Sequence, residues 1–282
     1  MSRDALRPST ARARGFTLLE VVVVLAILVI LAASILVKLD VLQLRANKGV
    51  AASDMAGVSR IVQTYTVTNN HFPNGFDSLV DVNGNELYGS SATLPLTGDQ
   101  ATLDPQLIGL GTSDPVKLVV TQIANDGEVR SLTRMGISTL YNVDSTTASG
   151  FPSDRFNLAT TIAVGTYVAE LNSLRNDPGV TSPESDADAI MQRFYPQTNG
   201  TPPSGTRVLV FGLGPLCTLI GRSGMLQSAP LYANSSDRNR YYARDLVCFE
   251  VSNGGSRARF LGALGADADR LDEELTEFYE LQ

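Results

Sequence analysis

RARGFTLLEVVVVLAILVILAASILVKLD, residues 12–40, decides how this chain is read. From Val21 to Val37 every residue is apolar except Ser34. Phe16 to Val37 as one helix covers about 33 Å, enough to cross the hydrocarbon core of a bilayer. Arg12 and Arg14 abut the run on one side and Lys38 and Asp40 open the other, a bias that places the N-terminus in the cytoplasm. The run is long for the core of a cleaved secretory signal, and "SILVKLD" behind it offers no small-residue cleavage pattern. A plain signal anchor accounts for the arginines and the apolar run. It does not account for Glu20, a carboxylate placed where carboxylates are costly.

Outward from this stretch the composition changes. The chain has 282 residues, 43% of them hydrophobic, enough for one or two domains with a core. Beyond residue 40 it is rich in Gly, Pro, Ser, Thr and Asn, the composition of a soluble body behind an anchor. The first fifteen residues carry four arginines against Asp4, a balance of +3, so the rest of a chain of net charge −7 carries −10. So acidic a body, with no basic patch, argues against a nucleic-acid partner.

"RGFTLLEVVVVLAILVIL" resembles the N-terminal signal of the type IV pilin and type II secretion pseudopilin superfamily: a basic leader ending in Gly, then Phe, Thr-Leu-hydrophobic-Glu and an unbroken apolar helix. The resemblance implies that a prepilin peptidase cuts after Gly15 on the cytoplasmic side and methylates the new amine of Phe16. It implies that Glu20, fifth in the mature chain, pairs with the Phe16 amine of a neighbouring subunit as a filament assembles. The implied partners are prepilin peptidase, other pilin or pseudopilin subunits and an inner-membrane assembly platform. Physics makes Glu20 tolerable: it lies about 6 Å below the first residue, near the interface, at the positive end of the helix dipole. The alternative is a snorkelling surface carboxylate. Where typical pilins have a proline some twenty residues into the mature helix, this chain has Val37.

The helix continues past the membrane. No proline occurs from Val37 to Tyr65, and Val37, Val41, Leu44, Lys48, Ala51, Met55, Val58, Val62 and Tyr65 follow steps of four and three. All but Lys48 are apolar or small, which makes one buried stripe. Gly49 and Gly57 weaken the helix locally. "TYTVT" is β-branched and strand-like, but the stripe runs through it, so helix is expected to about Asn69. "HFPNG" then breaks the chain, resembling the aromatic-Pro loop that precedes a short helix in pseudopilins.

The expected organisation is a cytoplasmic leader (1–15, removed), a transmembrane and filament-core helix (16–37), its amphipathic continuation (38–70) and an extracytoplasmic head (71–282). In the head, 115–123, 206–214, 244–252 and 257–264 have strand character, and "NGGS" between the last two signals a hairpin. Residues 155–176 have helical spacing at Leu158, Ile162, Val168 and Leu171. Residues 182–195 start with Ser182 as N-cap and Pro183 at the first helical position. The C-terminus is an acidic helix with Leu271, Leu275 and Phe278 on one face. The expected fold class is therefore α+β and pilin-like: a long helix on a small antiparallel sheet, with an enlarged helical insertion between about 124 and 206.

Little in the head suggests catalysis. "FGLGPLCTLIG" has glycines, but Pro215 removes an amide a phosphate cradle needs, so it is read as a turn. His71 is the only histidine, too few for a zinc site and the sole candidate for a His-based triad. It lies in an Asn-rich loop, where a locally bonded ring is the simpler reading. An anchored envelope hydrolase is disfavoured for the same reason. The acidic tail (Asp267, Asp269, Asp272, Glu273, Glu274, Glu277, Glu280) lacks the order of a calcium loop and reads as a solvated face. Cys217 and Cys248 are either a disulfide in an exported domain or two buried thiols. No catalytic residue, metal or cofactor is expected.

The resemblance thus implies a filament subunit at the bacterial inner membrane, single-pass, with its head in the periplasm before it enters the filament. The large acidic head, the Phe16 start and the aromatic-Pro loop favour a pseudopilin over a pilus subunit. The alternative is a membrane-anchored or filament-tip binding module, adhesin-like, which an exposed groove on the head would favour.

Overall fold

The computed structural model describes residues 17–80, 82, 118–143, 156–171, 186–221, 224–231, 242–266 and 269–280. It divides into two compact units, Met1–Arg45 and Ala46–Gln282. Helix α1 spans Leu18–Asn69, ending where the apolar stripe predicts.

In the first unit every described side chain from Thr17 to Ala33 is exposed. Leu18, Val22, Ile27 and Ile30 turn an unbroken apolar surface outward. Such a surface is stable only against hydrocarbon or other helices. Among the described residues no helix is long and apolar enough to cross a membrane. The apolar side chains described run from Leu18 to Ala33, whereas a span needs about 20 residues. The side chains of residues 34–38 lie outside the described residues, as does the leader.

In the second unit α1 becomes amphipathic, as its spacing predicts. Ala51, Met55, Val58 and Val62 are buried, while Ser53, Arg60 and Gln63 face solvent. The odd member of the stripe, Lys48, is also buried, and its Nζ lies 3.9 Å from Asp269 Oδ2. The helix stops at Asn70, whose φ of 58° is the left-handed stop that Asn tolerates. Phe72 and Pro73 then dive into the core, Phe72 meeting Phe249 edge-on at 5.0 Å.

The body is α+β. Its elements are β1 (Phe76–Asp77), β2 (Leu118–Gln122), α2 (Asp126–Thr133), β3 (Thr139–Val143), β4 (Phe156–Thr161), β5 (Tyr167–Leu171), α3 (Asp186–Phe194), β6 (Thr206–Gly212), β7 (Leu246–Ser252), β8 (Arg259–Leu264) and α4 (Leu271–Glu280). All eight strands among the described residues join one sheet. β6 is its axis. One edge of β6 pairs along its length with β7, which carries β8. The other edge is shared: Leu209 and Val210 pair with β5, which carries β2, and Gly212 pairs with β1, which leads to β3 and β4.

Four expectations are corrected. The sheet is neither small nor wholly antiparallel, because β1 and β3 run parallel. The aromatic-Pro loop leads into a strand, not a short helix. Residues 156–171 form β4 and β5 rather than a helix. Thr160, Thr161, Ile162, Val164, Thr166 and Val168 are β-branched, and Gly165 at φ 86° makes the turn between the strands. The insertion is therefore not helical in bulk: it supplies β3, β4 and β5 beside α2 and α3. Residues 115–117 and 172–176, and Ser182 and Pro183, lie outside the described residues.

Both sheet faces are buried, so alternate residues of β6 and β7 enter different cores. Val208, Val210, Leu246 and Cys248 pack with Ile190, Met191 and Phe194 of α3, and with Phe156 and Tyr242. Leu209, Phe211, Val247, Phe249 and Val251 pack with Val58 and Val62 of α1, Leu132 of α2 and Phe76. The period of two along each strand gives this division. The apolar–polar alternation of a one-sided sheet is accordingly absent from β6 and β7.

Candidate functional site: the capped start of α1

Of the three residues the sequence singles out, the structure places Glu20; Gly15 and Phe16 lie outside the described residues. Glu20 is exposed in the first turn of α1. Its carboxylate Oε2 accepts from the backbone N–H of Thr17 at 2.8 Å and from Thr17 Oγ1–H at 2.9 Å. In return Glu20 N–H donates to Thr17 Oγ1 at 3.2 Å, and Val21 N–H donates to the Thr17 carbonyl at 3.2 Å. This is a reciprocal capping box, with Thr17 at the N-cap and Glu20 three residues on. Two helix-end donors that would lack partners in hydrocarbon are satisfied by one side chain each.

The box engages one carboxylate oxygen. Oε1 makes no hydrogen bond among the described residues, so it is available to a cationic donor while the cap stays closed. Thr17 was not singled out by the sequence reading. The signal was present as T-x-x-E before an apolar run, the pattern of a capping box.

The head offers a second polar centre of a different kind. Asp77 is fully buried, and Tyr242 Oη donates to its Oδ2 at 2.8 Å. Arg244 and Asp245 are buried beside them, Arg244 donating to the carbonyl of Ala229 at 3.1 Å. Burial, then the charge of Asp77, pushes the Tyr242 hydroxyl well above its ordinary range, so it stays a donor. Gly212 and Gly214 of the glycine-rich stretch serve this pair. A Cβ at 212 would overlap the Tyr242 hydroxyl, and one at 214 would overlap the Asp77 carboxylate. The stretch is a strand end and turn shaped around a buried hydrogen bond.

Cys217 and Cys248 are separate buried thiols, not a disulfide. The sheet stands between them: Cys248 belongs to the core under α3, Cys217 to the core under α1. Burial pushes the Cys217 thiol up to about 12 and raises Cys248 further. His71 is half-buried, its Nδ1 2.7 Å from the Phe72 carbonyl and its ring edge-on to Tyr65. In the acidic tail, Asp272 is exposed but Asp269 is not: it is the buried partner of Lys48. Asp267 and the side chains of Glu273, Glu274, Glu277 and Glu280 lie outside the described residues.

Residues 10–36 match the family described as the prokaryotic N-terminal methylation motif. The chain is similar to the type II secretion system core protein G of Escherichia coli (strain K12), at 36% identity over 76 residues. That similarity covers 26% of this chain and 52% of the relative, so the chain spans about half the length of the curated relative it matches. No solved structure matches. The methylation motif thus encloses a capped glutamate at the start of an apolar helix, and this part of the chain is what resembles the type II secretion protein.

Proposed function

We propose that the chain is a structural subunit of a type II secretion pseudopilus or a related type IV filament. A prepilin peptidase hydrolyses the Gly15–Phe16 amide, and the amine released on Phe16 takes a methyl group from a sulfonium donor, which leaves as the thioether, with loss of a proton. Residues 16–37 hold the precursor in the inner membrane, with the head in the periplasm. Other subunits and an inner-membrane assembly platform then draw it into the filament. The observation that carries this reading is that residues 10–36, which match the methylation motif, include a carboxylate, Glu20, with one oxygen outside its capping box.

The chemistry follows from the medium. Away from water, an ammonium and a carboxylate attract far more strongly than in solution, and each is costly alone. A methylated amine is still a cation. Pairing the Phe16 amine of one copy with Glu20 Oε1 of the next removes both costs and sets the axial register between helices. The closed capping box holds Glu20 in place meanwhile, so little ordering remains when the partner arrives.

One observation favours the second reading, a filament-tip binding module: the head carries a groove between β8, α3 and α4. Mass spectrometry of the protein from its native envelope tests the first step of the main reading. The expected mature terminus is methylated Phe16; an intact leader on filament-associated protein would overturn it.

A further inference from the structure

Among the described residues β8 is an edge strand, paired with β7 alone. Its ladder is irregular: Gly262 pairs with Cys248 and Phe260 with Phe249, so Leu261 is a bulge residue with no partner opposite. Two positions on, the N–H of Ala263 turns away from β7 and donates to Ser59 Oγ at 3.2 Å. Beside this edge lies a groove of about 420 Å³, walled by α3 and α4. Phe194, Leu261, Leu271 and Leu275 give it an apolar lining, and Leu271 and Leu275 are 37% and 40% exposed.

The charge at this groove runs against the rest of the molecule. In a body of net charge −10, Arg193, Arg259 and Arg270 all line it. Arg270 lies 3.6 Å from Asp272 and Arg259 2.8 Å from Glu250. The Arg259 side chain is nevertheless 56% exposed, and Arg193 is exposed with no ion pair among the described residues. Guanidinium groups beside an open strand edge suit carboxylates on an extended chain. A second copy of β8 is disfavoured, because that strand carries no acidic side chain to meet these arginines.

We propose that this groove takes a short extended segment of another protein, alternating apolar and acidic residues, as an added strand along β8. The strand edge supplies main-chain hydrogen bonds, the leucines and Phe194 take the apolar side chains, and Arg193 and Arg259 take the carboxylates. The bulge at Leu261 and the Ser59 bond keep the pairing short, which guards the edge against indiscriminate strand addition. The proposal concerns the head alone and does not depend on cleavage or on the role of Glu20.

The test uses the full chain in detergent micelles with three peptides: alternating Val and Glu, alternating Val and Lys, and the Val–Glu peptide with proline at every third position. The expected result is binding of the first only, with reduced deuterium uptake across residues 259–264. Arg193→Glu, a change at an exposed side chain, should weaken it about tenfold, since reversing a charge replaces an attraction by a repulsion. Arg130→Glu, on α2, should leave it unchanged. Equal binding of the lysine or proline peptide, protection elsewhere, or no binding at all would overturn the proposal. So would self-association of the chain that Arg193→Glu abolishes, because the occupant would then be a second copy.

Discussion

Phe278 of α4 rests its ring edge on Gly49 of α1, so that a Cβ at position 49 would stand 3.2 Å from Phe278 Cε2. The C-terminal helix is thus seated on α1 where that helix has no side chain, one residue from the buried Lys48–Asp269 pair. A glycine that looks like a weakness of the helix is the floor of a contact. Gly49→Ala sets a gain in helix propensity of about 1 kcal/mol against a ring that must shift by a few tenths of an ångström. Gly49→Val adds branches that the ring cannot clear, and overpacking of this kind costs about 1–3 kcal/mol. Gly49→Val is therefore expected to lower Tm and to speed tryptic cutting at Arg270, with Gly49→Ala close to the parent. Equal cutting in all three proteins would show that α4 is not held there.

The Tyr242–Asp77 bond ties a residue next to β7 to the end of β1, with Gly212 and Gly214 cleared for it. Tyr242→Phe keeps the ring and its edge-on contact with Phe156 but removes one donor from a fully buried carboxylate. Loss of a buried partner of this kind costs about 1–3 kcal/mol. A lower urea midpoint with an unchanged slope is expected. An unchanged midpoint would mean that the aspartate is satisfied without the tyrosine.

Burial gives the two thiols a pH signature. The Cys217 thiol rises from an ordinary 9.0 to about 12, so the folded chain holds that proton more tightly than the unfolded chain. The stabilisation is full below about pH 9 and is lost as pH climbs toward 12, by up to about 1.4 kcal/mol per pH unit for each thiol. Cys248 acts with the same sign. Tyr195 does too, raised by burial and by the Glu250 carboxylate that accepts its hydroxyl proton. Replacing both cysteines by alanine should flatten the fall in urea midpoint between pH 8 and pH 10, while the tyrosine contribution persists. An identical fall in parent and variant would remove the thiols from the account.

How far the sequence carried the fold depends on which force dominated each element. The stripe Ala51, Met55, Val58, Val62 was legible because one helix face meets one core, and the Asn-Gly-Gly-Ser hairpin because turn chemistry is local. Residues 156–171 were misread because Leu158, Ile162, Val168 and Leu171 have helical spacing by coincidence, while the β-branched residues around them and Gly165 favour strands. Lys48 and Asp269 lie 221 positions apart, and no local pattern announces such a pair. The same holds for Gly212 and Gly214, whose partners Tyr242 and Asp77 come from distant parts of the chain. At the N-terminus the motif was legible as a whole. The capping box within it lies in the spacing of Thr17 and Glu20, a weaker signal than the charge of Glu20 in an apolar run.

Capping and the proposed docking charge are separable tasks for Glu20, and two substitutions tell them apart. Glutamine at the third helical position can still accept from the N-cap N–H, so Glu20→Gln keeps the box closed. It removes the charge that would meet a cationic amine. Thr17→Val does the reverse: it opens the box by deleting the hydroxyl but leaves the carboxylate. If Glu20 acts between subunits as a charge, Glu20→Gln should be inserted and cleaved normally yet fail to enter filaments, and Thr17→Val should assemble with reduced yield. If Glu20 acts only as a cap, the order reverses, with Glu20→Gln assembling like the parent and Thr17→Val impaired. Counting each variant in sheared filaments against the membrane fraction reads the order directly, and the second order would end the docking-charge reading of this residue.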